Sequence, residues 1–123
     1  MTERLASYYL ARGFIEAEDR VLDLYCENGF GTAILADRAF YILGVDYDIT
    51  GPASRFAVLG FMEFAEIVPQ AKFEVVVAFR GVWKKDLKNI TRRLITNREI
   101  NSKGWTEVYR FDCPTPIIIY DRI

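Results

Sequence analysis

Two carboxylates and two alternating glycines carry the first chemical signal in this chain. In the stretch VLDLYCENGFGTAIL, residues 21–35, Asp23 lies inside an apolar run and Gly29 and Gly31 alternate in a turn; Asp46 ends the next apolar run. A glycine turn between a strand and a helix lets backbone N–H groups approach a ligand that a Cβ atom would hold off. A carboxylate at the end of the neighbouring strand can accept hydrogen bonds from both hydroxyls of a ribose. Asp23 is a different case, because a charge inside an apolar strand is costly unless something pairs with it. Tyr25 and Glu27 stand where such a loop would carry glycine. They leave two readings open, a working nucleotide cradle or the remains of one.

The elements that must position these residues follow from the apolar patterning. Residues 3–12 place Leu5, Tyr8 and Tyr9 on one face of an amphipathic helix, which Thr2 can cap and Gly13 can end in a left-handed turn. EAED, residues 16–19, is a polar turn, and RVLDLYC is a buried strand leading into ENGFG. TAILADRA, residues 32–39, is a short helix, and FYILGVDYD, residues 40–48, a second strand with an acidic end. Together they make a βαβ unit, whose ligand belongs at the carboxyl ends of its strands. Residues 52–68 fit either a helix opened by Pro52 or a third strand at FAVLGF, the strand being preferred. KFEVVVAF, residues 72–79, is a central strand, and KKDLKNITRRLITNR is expected as a helix with Leu87, Ile90 and Leu94 on one face. WTEVYRF and PIIIYDRI form a final antiparallel pair.

Composition excludes several chemistries. The 123 residues contain no histidine, which rules out Ser-His-Asp and Cys-His catalytic sets and makes a metal centre improbable. Cys26 and Cys113 lie far apart in sequence and, with no export signal at the N-terminus, are expected as reduced thiols in a cytoplasmic protein. No apolar run reaches the roughly 18 residues of a membrane span, so no membrane partner is expected.

The run RVLDLYCENGFGTAILADRAFYILGVDYD resembles the first βαβ unit of the class I S-adenosylmethionine-dependent methyltransferases, and FEVVVAFRGVW resembles their fourth strand. The resemblance spans about residues 14–83. It implies an α/β, Rossmann-like fold in which a mostly parallel sheet carries helices on both faces and a C-terminal antiparallel strand pair. The fold is expected in shortened form, residues 1–123 making one domain. It also implies S-adenosylmethionine as cofactor, held by Asp23, Tyr25, Glu27, Gly29 and Asp46, with Phe61 and Met62 at the end of the third strand beside the adenine. Asp23 then holds the loop or meets the cofactor amine, and Glu27 faces its ammonium group. Tyr8 and Tyr9 on the first helix, with Arg80 and Trp83 after the fourth strand, are candidates for the substrate side. The motif Asn-Pro-Pro-Tyr of nucleic-acid amino-methyltransferases is absent.

Three functions remain at this level: methyl transfer to an unidentified acceptor, a catalytically silent relative acting as a binding or scaffold subunit, and a nicotinamide-dinucleotide binder. The last shares Asp46, but GFGTAI lacks the third glycine of its fingerprint. Residues 84–103 hold seven basic residues against Asp86 and Glu99. No aromatic residue interleaves with them for base stacking, so a solvated face is favoured over nucleic acid. A strand-helix pair is expected to be lost after the expected basic helix, and the open edge this would leave suggests a homodimer.

Overall fold

The computed structural model describes residues 3–46, 57–59, 72–112 and 115–123. Among the described residues seven strands form one sheet in the order β3-β2-β1-β4-β5-β7-β6. The strands are β1 (Arg20–Leu24), β2 (Tyr41–Asp46), β3 (Ala57–Leu59), β4 (Phe73–Ala78), β5 (Ile90–Thr96), β6 (Trp105–Phe111) and β7 (Ile117–Arg122). The first five run parallel, while β7 is antiparallel to β5 and β6 to β7. Successive strands step outward from β1 to β3 on one side and from β4 to β5 on the other. The order therefore reverses between β1 and β4, and a crevice opens there at the carboxyl ends of the strands.

Strands buried on both faces read as near-continuous apolar runs, and β1 and β4 do so apart from Arg20, Asp23 and Glu74. Their residues divide between two cores. Leu22, Leu24, Val76 and Ala78 face one, Val21, Val75 and Val77 the other. Helix α1 (Glu3–Arg12) and helix α2 (Phe30–Ala36) cover the second core through Tyr8, Ala11 and Leu35. The opposite face is covered by a short 3-10 turn at Lys84–Asn89, through Leu87.

Five expectations from the sequence are corrected. The helix expected over residues 84–98 is the 3-10 turn followed by β5. Leu87, Ile90 and Leu94 do share one core, as the periodicity suggested. A spacing of three fits a 3-10 turn and a spacing of four, being even, keeps one face of a strand as well as one face of a helix. What distinguishes the two is Ile95, which faces the opposite core. The strand expected to be lost is thus β5 itself, and the described sheet has its edges at β3 and β6. The basic segment is not one solvated helix face either, since Arg92 pairs with buried Asp19 and Arg93 with Asp121.

Gly13 is not in a left-handed turn. The chain leaves α1 through i to i+3 bonds, Gly13 N–H to Leu10 O at 3.1 Å and Phe14 N–H to Ala11 O at 2.9 Å, a 3-10 tightening of the last turn. Tyr9 does not share the buried face of Tyr8; it is exposed beneath the Arg12 guanidinium. No helix among the described residues is long and apolar enough to cross a membrane.

Candidate functional site

The crevice is floored by the turn from β1 to α2. Tyr25 and Glu27 adopt φ values of 58° and 53°, and Gly29 one of 82°. Three alternate residues are thus left-handed, the conformation that glycine reaches without strain and other residues adopt at a cost of roughly 1–2 kcal/mol each. Backbone that alternates in this way turns peptide N–H groups toward a common side and forms an anion-binding concavity. The loop therefore holds a glycine-type backbone path with glycine at only one of the three places.

Neighbouring groups hold that path. The Asp46 carboxylate accepts the Glu27 N–H at 2.6 Å, tying the loop to the end of β2. Cys26 N–H donates to Val45 O at 3.0 Å, and Gly29 N–H returns to Cys26 O at 3.0 Å. Arg4, from the first turn of α1, donates to the Tyr25 carbonyl at 2.8 Å and pairs with the Glu27 carboxylate at 3.2 Å. Arg80, beyond β4, meets the same Glu27 oxygen at 3.5 Å. The Trp83 indole N–H donates to the Tyr25 hydroxyl at 3.0 Å, setting two aromatic side chains together at the mouth of the crevice.

Asp23 lies beneath the loop and is fully buried. Its two oxygens accept from the Tyr8 hydroxyl at 2.9 Å and the Thr32 hydroxyl at 2.6 Å, so it joins β1 to both helices. Burial pushes its carboxyl up to about 7, against the opposing pull of the Thr32 and Tyr8 hydrogen bonds and the Arg4 charge. Of the two roles expected of Asp23, this geometry supports holding the loop. Tyr8 is likewise buried, with its ring against Phe79 and over Gly31, where an added Cβ would lie 2.3 Å from the Tyr8 ring. Gly31 is thus a packing glycine that lets α1 and α2 approach, not part of the left-handed path.

Three clefts open on this side. One of about 200 Å³ runs between α1 and the loop, lined by Arg4, Cys26, Glu27, Asn28, Phe30 and Gly31. A second, about 330 Å³, lies among Tyr25, Arg80, Gly81, Val82, Trp83 and Lys84. The third, about 280 Å³, is bounded by Arg4, Ser7, Phe79, Asn97, Thr115 and Pro116. Of the sequence-predicted residues, the fold brings Tyr25, Glu27, Gly29, Asp46, Arg80 and Trp83 together, and sets Asp23 and Tyr8 below them. Tyr9 is on the far side of α1, while Phe61 and Met62 lie outside the described residues. Arg4, Thr32 and Asn97 were not anticipated. Thr32 had a signal, since a buried carboxylate needs a nearby donor; Arg4 and Asn97 had none in residue type or spacing. Among the described residues no group of three or more His, Cys, Asp or Glu could hold a metal ion.

No family model matches the sequence, and no curated protein matches it. Solved structures do. The N-methyltransferase NodS from Bradyrhizobium japonicum WM9 superposes with a TM-score of 0.69 at 12% identity, over 97% of this chain and 92% of that one. The same enzyme in complex with S-adenosyl-L-homocysteine gives a TM-score of 0.64 at 13% identity, over 97% and 84% of the two chains. An rRNA methylase from Streptococcus thermophilus matches with a TM-score of 0.60 at 12% identity, over 96% of this chain and 95% of its own. The sheet that carries this crevice therefore has the α/β, Rossmann-like fold of S-adenosylmethionine-dependent methyltransferases.

Proposed function

We propose that the chain binds S-adenosylmethionine in the crevice between β1 and β4 and transfers its methyl group to an acceptor. The observation that carries this reading is the left-handed path of Tyr25, Glu27 and Gly29, closed by Asp46. That backbone fits a cofactor whose amino-acid end must approach peptide N–H groups closely, and the carboxylate at the end of β2 lies beside it to receive ribose hydroxyls. Glu27, half exposed between two arginines, is the carboxylate that faces the ammonium group. Tyr25 and Trp83 supply aromatic surface at the mouth. Phe61 and Met62 belong to the adenine side of the same reading.

When bound, the cofactor supplies an electrophilic methyl group on a sulfonium. Transfer from such a centre asks the protein mainly for in-line positioning and exclusion of water, so a chain without histidine can perform it. Asp23, with Tyr8 and Thr32, fixes the loop from below. Arg4 fixes it from the side of α1.

Calorimetric titration with S-adenosylmethionine, S-adenosylhomocysteine and NAD tests the reading. The first two should bind and NAD should not. Asp46→Ala should weaken binding by about 1.5–3 kcal/mol, the range for a charged hydrogen bond. Binding of NAD alone would overturn the assignment in favour of a dinucleotide site, and binding of none would favour a silent scaffold subunit.

A further inference from the structure

The third cleft holds a group that the cofactor reading does not use. Asn97 directly follows the last residue of β5, and its side-chain Oδ1 is buried with no hydrogen-bond donor among the described residues. A buried acceptor left without a donor carries a desolvation penalty and calls for an explanation. Asn97 lines the cleft of about 280 Å³ together with Arg4, Ser7, Phe79, Thr115 and Pro116. Arg4 also lines the cleft along the loop and bonds the Tyr25 carbonyl, so the two cavities meet at one side chain. An acceptor in the third cleft thus lies next to the loop, as transfer over about 3–3.5 Å between reacting atoms requires.

We propose that this cleft binds the methyl acceptor, and that the acceptor is an uncharged aromatic or heteroaromatic amine whose N–H donates to Asn97 Oδ1. The assignment rests on the methyltransferase reading above and adds the substrate class to it. Four features select the class. The orphan oxygen asks for an N–H or O–H donor. A hydroxyl acceptor must also lose its proton to become a nucleophile, yet the chain has no histidine, and no carboxylate or lysine is among the described residues lining the cleft. A neutral amine needs no such base, because its lone pair is already free to attack. The Arg4 guanidinium disfavours a protonated alkylamine in the same space. The volume and the walls of Phe79 and Pro116 suit one or two flat rings.

The step balances without a protein base. The amine nitrogen gives its lone pair to the methyl carbon as the S–CH3 bond breaks. The bond's electron pair stays on sulfur, which becomes a neutral thioether. The methylated nitrogen, now positively charged, releases its N–H proton to water.

The test is an NMR titration of the full chain near pH 8, where 2-aminopyridine is uncharged and benzylamine protonated, with S-adenosylhomocysteine present and 2-aminopyridine, phenol and benzylamine as probes. 2-Aminopyridine should shift the Asn97 side-chain amide resonances and bind at least tenfold more tightly than the other two. Asn97→Leu should lower its affinity at least fivefold, and Asn97→Asp, which keeps an acceptor oxygen, should restore most of it. Affinity for S-adenosylhomocysteine, followed on the loop resonances, should stay the same in both variants. Failure of S-adenosylhomocysteine to bind the wild type overturns the function and the acceptor class with it. Binding of that compound overturns the acceptor class alone if phenol or benzylamine matches 2-aminopyridine, if 2-aminopyridine does not bind, or if Asn97→Leu leaves its affinity unchanged.

Discussion

Asp23 should make the stability of this protein fall as the pH rises from about 4 to 7, the reverse of what salt-bridged surface carboxylates do. Its carboxyl is pushed from 3.8 up to about 7, burial being the largest cause and the charge of Asp46 adding to it. Between those two values the folded chain keeps a proton that the unfolded chain has released. The folded state therefore binds more protons, and unfolding becomes easier by about 1.4 kcal/mol for each pH unit crossed. The full contribution, roughly 4 kcal/mol as an upper value, is present below pH 4 and gone above pH 7. Glu74 and Glu107, held below the usual carboxylate range by Arg20 and Arg110, act in the opposite direction, but only at and below their ordinary value of 4.5. Urea unfolding midpoints measured from pH 4.5 to pH 8 should thus decline for the wild type. Asp23→Asn removes the titrating group, and the Tyr8 or Thr32 hydroxyl can turn to accept from the new amide. Its midpoint should change far less over the same range, so the two curves converge or cross toward pH 8. A wild-type midpoint that is flat or rising from pH 4.5 to 7, in parallel with the variant, would refute the argument and show that Asp23 is ionised in the folded protein throughout.

The left-handed loop separates two substitutions that residue type would group together. Glu27→Gly removes a strained φ and loses only half-exposed ion pairs, so thermal melting should show unchanged stability or a gain of up to about 1 kcal/mol. Tyr25→Gly relieves the same strain but gives up packing against the core and the Trp83 hydrogen bond, and should be destabilised by about 1–2 kcal/mol. Both should weaken S-adenosylhomocysteine binding if the side chains belong to a working site, whereas a gain in affinity would mark them as blocking a retired one. Gly31→Ala should destabilise by about 1–3 kcal/mol despite its better helix propensity, because the Tyr8 ring, fixed by Asp23, cannot withdraw from the new methyl group; an unfolding midpoint at or above that of the wild type would refute this packing role.

How much of this was legible in the sequence depends on whether residue type or context decides each feature. The βαβ core was legible because strands buried on both faces read as near-continuous apolar runs, as β1 and β4 do with Arg20, Asp23 and Glu74 the only interruptions. The final strand pair was equally plain, the prolines at 114 and 116 marking in the sequence the loop between its two strands. The segment from Leu87 to Leu94 was not, since its apolar spacing satisfies a 3-10 turn plus a strand as well as a helix, and pairing with β4 and β7 selected the strand. At the site, residue type pointed the wrong way. Tyr25 and Glu27 argued against a glycine path, yet the backbone takes it. Glycine is only the least costly way into the left-handed region, and a few hydrogen bonds of ordinary strength can offset the difference. Here the Asp46 carboxylate on the Glu27 N–H and the Arg4 guanidinium on the Tyr25 carbonyl are those bonds. They come from residues 19 and 21 positions away, so no window of sequence around the loop could have disclosed them. In the proposed reading the Asp46 carboxylate also receives the ribose hydroxyls, so holding the loop and binding a ligand are demands on one set of atoms.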